Sequence, residues 1–261
     1  MASEQAAGGV PFRHPPEQAP LDAAAVVDLD ELDALVTTCR ACPRLVAWRE
    51  EVARVKRAAF RDQEYWGRPV PGFGPHDASI LIVGLAPAAH GANRTGRMFT
   101  GDRSGEVLYA AMHAVGLASR PVAVWRDDGL ELYGTRISAP VRCAPPANKP
   151  TPDERHRCAP FLARELELLG GTVRVVVVLG GFGWQALMAS LMDAGWLVPR
   201  PRPRFGHGAR VRIAHRDGRM LDVLGCFHVS QQNTFTGRLT PAMVEEVLAK
   251  AKQLAGVGTD D

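Results

Sequence analysis

Ser79-Ile-Leu-Ile-Val-Gly-Leu85 is an unbroken apolar run that opens into Ala86-Pro87 and a glycine-rich stretch ending at Gly101-Asp102. A short run without polar alternation reads as a strand buried on both faces, which is the mark of a parallel sheet covered by helices. Arg174-Val-Val-Val-Val-Leu179, closing on Gly180-Gly181, is a second run of the same kind, and Thr135–Val141 and Met220–Phe227 are weaker ones. Helical character follows each strand, over Gly105–Gly116, Thr151–Leu169, Phe182–Ala194 and Thr240–Leu254. Thr151-Pro152-Asp153-Glu154 joins a capping hydroxyl, a proline at the first helical position and acids in the first turn, and Thr240-Pro241 repeats the start of that signature. This alternation predicts an α/β fold of three layers, α/β/α, around a central, mainly parallel four-stranded sheet, with ligands at the carboxyl ends of the strands. Two hairpins are expected outside that core, Val122–Leu132 turning at Asp127-Asp128-Gly129 and Arg210–Leu221 turning at Asp217-Gly218. Asp28–Phe60 reads as mostly helical, interrupted by a cysteine pair.

The chain has 261 residues, 46% apolar and 23% charged, enough to bury a large core, so a small disulfide scaffold or a disordered polyelectrolyte is excluded. Residues 1–25 and 257–261 read as disordered tails around one domain, 26–256. The net charge of +3 does not by itself indicate a polyanionic partner. Only Lys56, Lys149, Lys250 and Lys252 are lysines, which leaves 27 of the 31 basic residues as arginine; codon bias explains this, and so does a preference for phosphate contacts. No run approaches the roughly 20 apolar residues of a membrane span and no secretory signal is present, so the expected setting is the cytoplasm, associated with the nucleoid, with no membrane partner and a monomeric state.

Five cysteines are too few for a disulfide framework. Cys39-Arg-Ala-Cys42-Pro43 is a close pair, whereas Cys143 and Cys158 have 14 residues between them, including the loop Ala144–Pro150. Four thiolates can ligate zinc or an iron–sulfur cluster, and one close pair with two spread ligands favours the cluster; four unrelated buried thiols are equally compatible with the spacing. Cys226, inside a strand, reads as a core residue.

Two strand ends carry the chemistry-bearing residues. Gly84-Leu-Ala-Pro-Ala-Ala-His90-Gly-Ala-Asn93-Arg94-Thr-Gly-Arg97-Met-Phe99-Thr-Gly-Asp102 offers backbone amides, an aromatic face, two arginines and a carboxylate, a suitable lining for a planar base. Cys226-Phe-His228-Val-Ser230-Gln-Gln-Asn233-Thr-Phe-Thr-Gly237-Arg238-Leu239 places an imidazole at a strand end beside a polar loop.

Together, the Gly84–Asp102 stretch, the His228–Leu239 stretch and Cys39, Cys42, Cys143 and Cys158 resemble the family 5 uracil-DNA glycosylases, the B-type prokaryotic enzymes with an iron–sulfur cluster. The similarity runs from about Thr38 to Leu254. It implies a four-iron (4Fe-4S) cluster on the four cysteines. The implied activity is DNA repair by flipping uracil, and other deaminated bases such as hypoxanthine, out of double-stranded DNA and hydrolysing the N-glycosidic bond. By the same resemblance, His228 would donate a hydrogen bond to the departing uracil's O2, and Asp102 would position water or stabilise the cationic sugar. Asp102 equally suits an N-cap for the helix that follows. Phe99 would stack on the flipped base. Gly84, Leu85 and Ala86 would contact it through main chain, and Asn233 would complete the substrate pocket. Arg94, Arg97, Ser230 and Arg238 would meet DNA, with Thr234, Phe235 or Leu239 as the wedge that fills the emptied stack. The carboxylate that related enzymes carry just after the first-loop proline is absent here, where Pro87 is followed by Ala88-Ala89. The asparagine they carry before the third cysteine is replaced by Ala139, which implies looser base discrimination or reliance on main-chain contacts. Arg40, Arg44, Arg142 and Lys149 would form a basic surface by the cluster.

Two rival readings need other features. A nucleotide-dependent α/β enzyme would need a Gly-Lys-Ser/Thr element or a Gly-x-Gly-x-x-Gly directly after the first strand, and this chain has neither. A non-catalytic iron–sulfur or zinc module that binds DNA damage would share the cysteines and leave the strand-end residues without a role.

Overall fold

A computed structural model describes residues 21–258. Five strands, β1 (Ile80–Val83), β2 (Thr135–Ser138), β3 (Val175–Leu179), β4 (Arg210–Ala214) and β5 (Met220–Cys226), form one sheet in the order β2-β1-β3-β5-β4. All neighbours are parallel except the β4–β5 hairpin. The expected count of four was one short. The Arg210–Leu221 hairpin adds an antiparallel edge strand to the sheet instead of decorating it, and its alternating exposure fits an edge position. The other expected hairpin, Val122–Leu132, does not form. Asp128 instead gathers the backbone N–H groups of Val124, Trp125 and Leu130 on its carboxylate, closing a compact loop with no strand pairing beyond an Ala118–Leu132 bridge.

Among the described residues there are eight α-helices: α1 (Leu29–Thr38), α2 (Pro43–Val55), α3 (Ala92–Thr95), α4 (Arg103–Ala114), α5 (Pro152–Leu168), α6 (Gly181–Asp193), α7 (Gln231–Phe235) and α8 (Pro241–Ala255). Alternation along the strands sorts the layers. Ile80 and Ile82 of β1, with Val175 and Val177 of β3, pack against Leu108, Tyr109 and Met112 of α4 and Val244, Val247 and Leu248 of α8. Leu81, Val83, Val176 and Val178 face the other way onto α1, α5 and α6. With both faces covered, every residue of β1, β2 and β3 is buried, which is why these strands show no polar alternation in sequence.

The helix starts follow local chemistry. Thr151 and Glu154 form a reciprocal capping box at α5, and Thr240 caps α8 through Met243 N–H. The boundary expected at residue 26 lies a few residues late. Ala23–Ala25 forms a 3₁₀ turn, and Ala23 and Val26 are buried in the core beside α5. At the other end Val257, expected in the tail, packs against the core, and the rest of the expected tails, residues 1–20 and 259–261, lies outside the described residues. No helix among the described residues is long and apolar enough to cross a membrane.

Candidate active site

The loops after β1, β2 and β5 meet at the carboxyl edge of the sheet around a cavity of about 260 Å³. This lies below the roughly 300–1,000 Å³ of pockets that enclose drug-sized ligands. Leu85, Ala86, Pro87 and Ala88 form one wall, Met98 and Phe99 another, and Asp102, Ala139, Asn148, His228 and Ser230 supply the rest of its character.

Phe99 is held in an unusual backbone conformation, with φ +52°. For a bulky residue this is strained, and such strain persists where surrounding structure over-determines it. One constraint is visible at Gly84, where an added Cβ would fall 2.7 Å from the Phe99 ring, so an edge of the ring lies against bare backbone. Phe99 faces His228 at 6.3 Å between ring centroids. Burial of His228 disfavours its cation and pushes its pKa down to about 4, so the imidazole is neutral near pH 7. Asn233 does not line the cavity. Its side-chain amide donates to the His228 carbonyl at 2.8 Å, so it anchors the loop that carries the histidine.

Asp102 is the N-cap that the sequence allowed, and it also lines the cavity. One carboxylate oxygen accepts the Gly105 N–H at 3.0 Å at the start of α4. The second oxygen lies where a Cβ on Gly91 would be, 2.0 Å away, so only glycine there admits the carboxylate. Burial raises the Asp102 pKa, while the Gly105 and Ser104 amides oppose the rise. No other carboxylate lines the cavity among the described residues.

Several expected DNA contacts lie elsewhere. Arg94 and Arg97 are buried. Arg94 donates to the carbonyls of His90 and Gly101 and to Gln63, and Arg97 forms a two-pronged pair with Asp128 and a bond to Thr100. They hold the first loop in shape, because a buried guanidinium is retained only with its fork satisfied. Leu239 is 1% exposed and cannot serve as a wedge, whereas Phe235, in α7, is 71% exposed with Arg103 lying over its ring. Thr234 donates inward to the Ser230 carbonyl, and Arg238 is exposed over Phe227. Of the proposed basic surface, Arg142 is buried, Arg44 is paired with Glu154 and Arg40 with Glu50.

Asn148 escaped the sequence reading. It sits in the Pro-rich loop after β2 with φ +55°, a conformation that asparagine tolerates best among residues with a Cβ, and it brings an amide to the wall where Ala139 has none. A search of every loop leaving a strand's carboxyl end would have reached it. A polar groove continues outward from the cavity past Arg57, Arg103, Lys149, Gln231 and Gln232.

Cys39 and Cys42 bracket the turn between α1 and α2, Cys143 follows β2, and Cys158 lies in α5. Although far apart in sequence, the four line one enclosed cavity with Leu45, Val46, Val141 and Phe161. Among the described residues, no three His, Cys, Asp or Glu side chains converge as they would on a single metal ion. Burial and the neighbouring thiols Cys143 and Cys39 push the Cys42 pKa up to about 12. Cys226 lies apart, in the core of β5, as expected.

Because the folded-state pKa of His228 is depressed, neutral imidazole is required on folding. That requirement has no effect above the ordinary histidine pKa near about 6.5 and destabilises progressively as pH falls towards 4. Chemical denaturation at pH 7.5 and 5 should therefore show lower stability at pH 5, and His228→Gln should reduce the difference.

Residues 71–252 match the uracil DNA glycosylase superfamily. The chain is 57% identical over 227 residues to the type-5 uracil-DNA glycosylase of Mycobacterium bovis, covering 87% of this chain and 82% of that protein. It is 56% identical over 229 residues to the Mycobacterium leprae type-5 uracil-DNA glycosylase, 88% of this chain and 96% of that one. With the type-5 uracil-DNA glycosylase of Thermus thermophilus it shares 52% identity over 231 residues, 88% of this chain and all (100%) of that protein. The three-layer fold, the cavity at the strand ends and these similarities agree: the chain belongs to the type-5 uracil-DNA glycosylases of the uracil DNA glycosylase superfamily.

Proposed function

We propose that this protein excises uracil, and other deaminated bases such as hypoxanthine, from double-stranded DNA by hydrolysing the N-glycosidic bond, leaving an abasic site. The observation that carries the reading is the cavity of about 260 Å³ that a strained Phe99 and a half-buried, neutral His228 line together. A base inside a duplex cannot reach such a site, so the nucleotide rotates out of the stack, at a cost of a few kcal/mol that is least at a mispair. Phe99 stacks on the extruded base. As the glycosidic bond breaks, the base leaves with its electron pair, and the His228 N–H donates to the developing oxyanion at O2. Neutrality does not weaken this role, since one imidazole nitrogen of the neutral ring still carries a proton. Asp102 faces the sugar side, where its carboxylate orients water or stabilises the cationic ring, and Asn148 offers an amide within the same cavity. With no carboxylate on the Pro87–Ala89 wall, the path is largely dissociative and rests on electrostatics.

Incubating the protein with uracil-containing duplex and then alkali should yield strand breaks at the uracil position; intact strands would refute the activity. Asp102→Asn keeps a side-chain oxygen for the Gly105 N–H, so the melting temperature should stay within a degree or two while single-turnover excision slows at least tenfold. An unchanged rate would remove Asp102 from the chemistry. For the groove, Arg103→Gln should lower the salt slope of duplex binding by about 1, uniformly across sequences.

The same reading includes a 4Fe-4S cluster on Cys39, Cys42, Cys143 and Cys158. The donor set fits: four thiols surround one closed, largely apolar space, with an N–H of Arg49 at 2.8 Å from Cys143 Sγ and the Arg142 amide at 3.3 Å from Cys158 Sγ. When bound, the cluster would cross-link the α1–α2 turn to α5 and to the loop after β2 that carries Asn148. Absorbance near 400 nm with matching iron and sulfide content tests it against zinc.

A further inference from the structure

Two arginines at the cysteine cavity carry donors that the protein leaves unanswered. Arg49 and Arg142 are 2% and 1% exposed, and both line the space between the four cysteines. Arg49 donates from Nη1 to Cys143 Sγ at 2.8 Å and from Nη2 to the Cys39 carbonyl at 3.1 Å, and its Nε has no acceptor among the described residues. Arg142 donates its backbone N–H to Cys158 Sγ, and its Nη2 reaches Glu165, while Nε and Nη1 have no acceptor. Buried guanidinium N–H groups are almost always satisfied, and these three nitrogens belong to two of the arginines that line the cysteine cavity. The acceptors that would complete them are sulfur atoms.

We infer that Arg49 and Arg142 are hydrogen-bond donors to the sulfurs of the iron–sulfur group, raising its reduction potential and slowing its loss. The inference rests on the cluster reading above. An N–H directed at sulfur, on a side chain that is also cationic, stabilises the more electron-rich state, and hydrogen bonds to sulfur are among the levers that set cluster potentials. The two residues approach from different elements. Arg49 comes from α2, while Arg142 comes from the loop after β2 and is tied by Glu165 to Arg136 and Ser138. Neither touches the uracil cavity, so both are positioning residues for the group and not catalytic ones.

The test uses the intact chain purified without oxygen. Iron and sulfide are assayed, the midpoint potential is measured by mediated titration, and the 400 nm absorbance is followed after adding a chelator. Arg49→Met removes the donors and the charge but keeps the stem. Arg142→Lys keeps a cation for Glu165 and removes the planar fork, so the fold has a route to survive. Each variant should shift the reduction equilibrium at least tenfold toward the oxidised form, a fall of about 59 mV for one electron, and should release iron at least tenfold faster. Faster release from variants whose circular dichroism matches the parent supports the inference even if one of them cannot be reduced cleanly. Potential and release rate both unchanged at full iron content would overturn it while leaving the cluster reading intact. A parent protein without iron would overturn the cluster reading and this inference with it.

Discussion

Replacing His228 with alanine should slow single-turnover excision of uracil about 10²–10³-fold, the range found when one donor to a developing oxyanion is removed. The effect should fall on chemistry and not on binding. His228 lines the base cavity, whereas the polar groove that continues from it is lined by Arg57, Arg103, Lys149, Gln231 and Gln232, so affinity for duplex with an abasic site should stay within about threefold of the parent. His228→Gln retains an N–H donor and should recover part of the loss. The pH profile separates the roles further. With the histidine pKa depressed to about 4, excision should show no histidine-like inflection between pH 8 and 6, because the donor stays neutral throughout. An inflection near 6.5 that disappears in His228→Gln would show that the cation is used and would refute the neutral-donor mechanism. Unchanged turnover in His228→Ala would remove the residue from the chemistry altogether.

Replacing Glu165 with alanine should destabilise the fold by about 3–5 kcal/mol, the cost typical of stripping one partner from a buried ion pair. Its carboxylate is fully buried and receives Arg136, Arg142 and Ser138 at once, while Arg136 also binds Asp33. Removing it strands the Arg142 guanidinium inside the protein and leaves Arg136 with only Asp33 and the Gly74 carbonyl. At about 2–4 °C per kcal/mol for a domain of this size, the melting temperature should fall by roughly 6–20 °C. Glu51→Ala, which breaks the exposed pair with Arg54, should leave the melting temperature unmoved. A fall of less than 3 °C for Glu165→Ala would show that the network relaxes or takes in water. Acid sensitivity follows with a definite sign. Burial alone would raise the Glu165 pKa, but Arg142 and Arg136 overcome this and hold it well below the usual carboxylate range. A depressed carboxyl contributes stability that is present above the unfolded value near about 4.3 and is lost as pH falls below it. Thermal midpoints measured from pH 6 down to 3 should drop more steeply for the parent than for a folded Glu165→Gln variant.

The mistaken and missed residues share a cause. Arg94 and Arg97 stand in a glycine-rich loop, and loop arginines are usually solvated, so nothing local distinguished them from phosphate ligands. Their partners, Gln63 and Asp128, lie about 30 residues away, at sequence separations of 31 in each case. Leu239 and Phe235 are apolar neighbours on one stretch, and only the packing of the segment leading into α8 against the core decides that the first is buried while the second stays exposed. Asn148 looked like an ordinary loop residue until the β2 loop was placed opposite His228.

The sequence by itself determined the layer order, the positions of all four parallel strands, the helix starts and the pairing of a cysteine set with two strand-end loops. These follow from short-range rules: apolar runs with both faces covered, capping side chains three residues from the amides they bind, and ligands at strand carboxyl ends. Only the tertiary structure decided which charged groups are buried, how the sheet gains its fifth strand, and that Phe99, Asp102, Asn148 and His228 share one cavity. Burial and long-range pairing depend on chain segments tens of residues apart, and a guanidinium or carboxylate of unchanged sequence context becomes a phosphate ligand, a structural pin or a catalyst according to what those segments bring beside it.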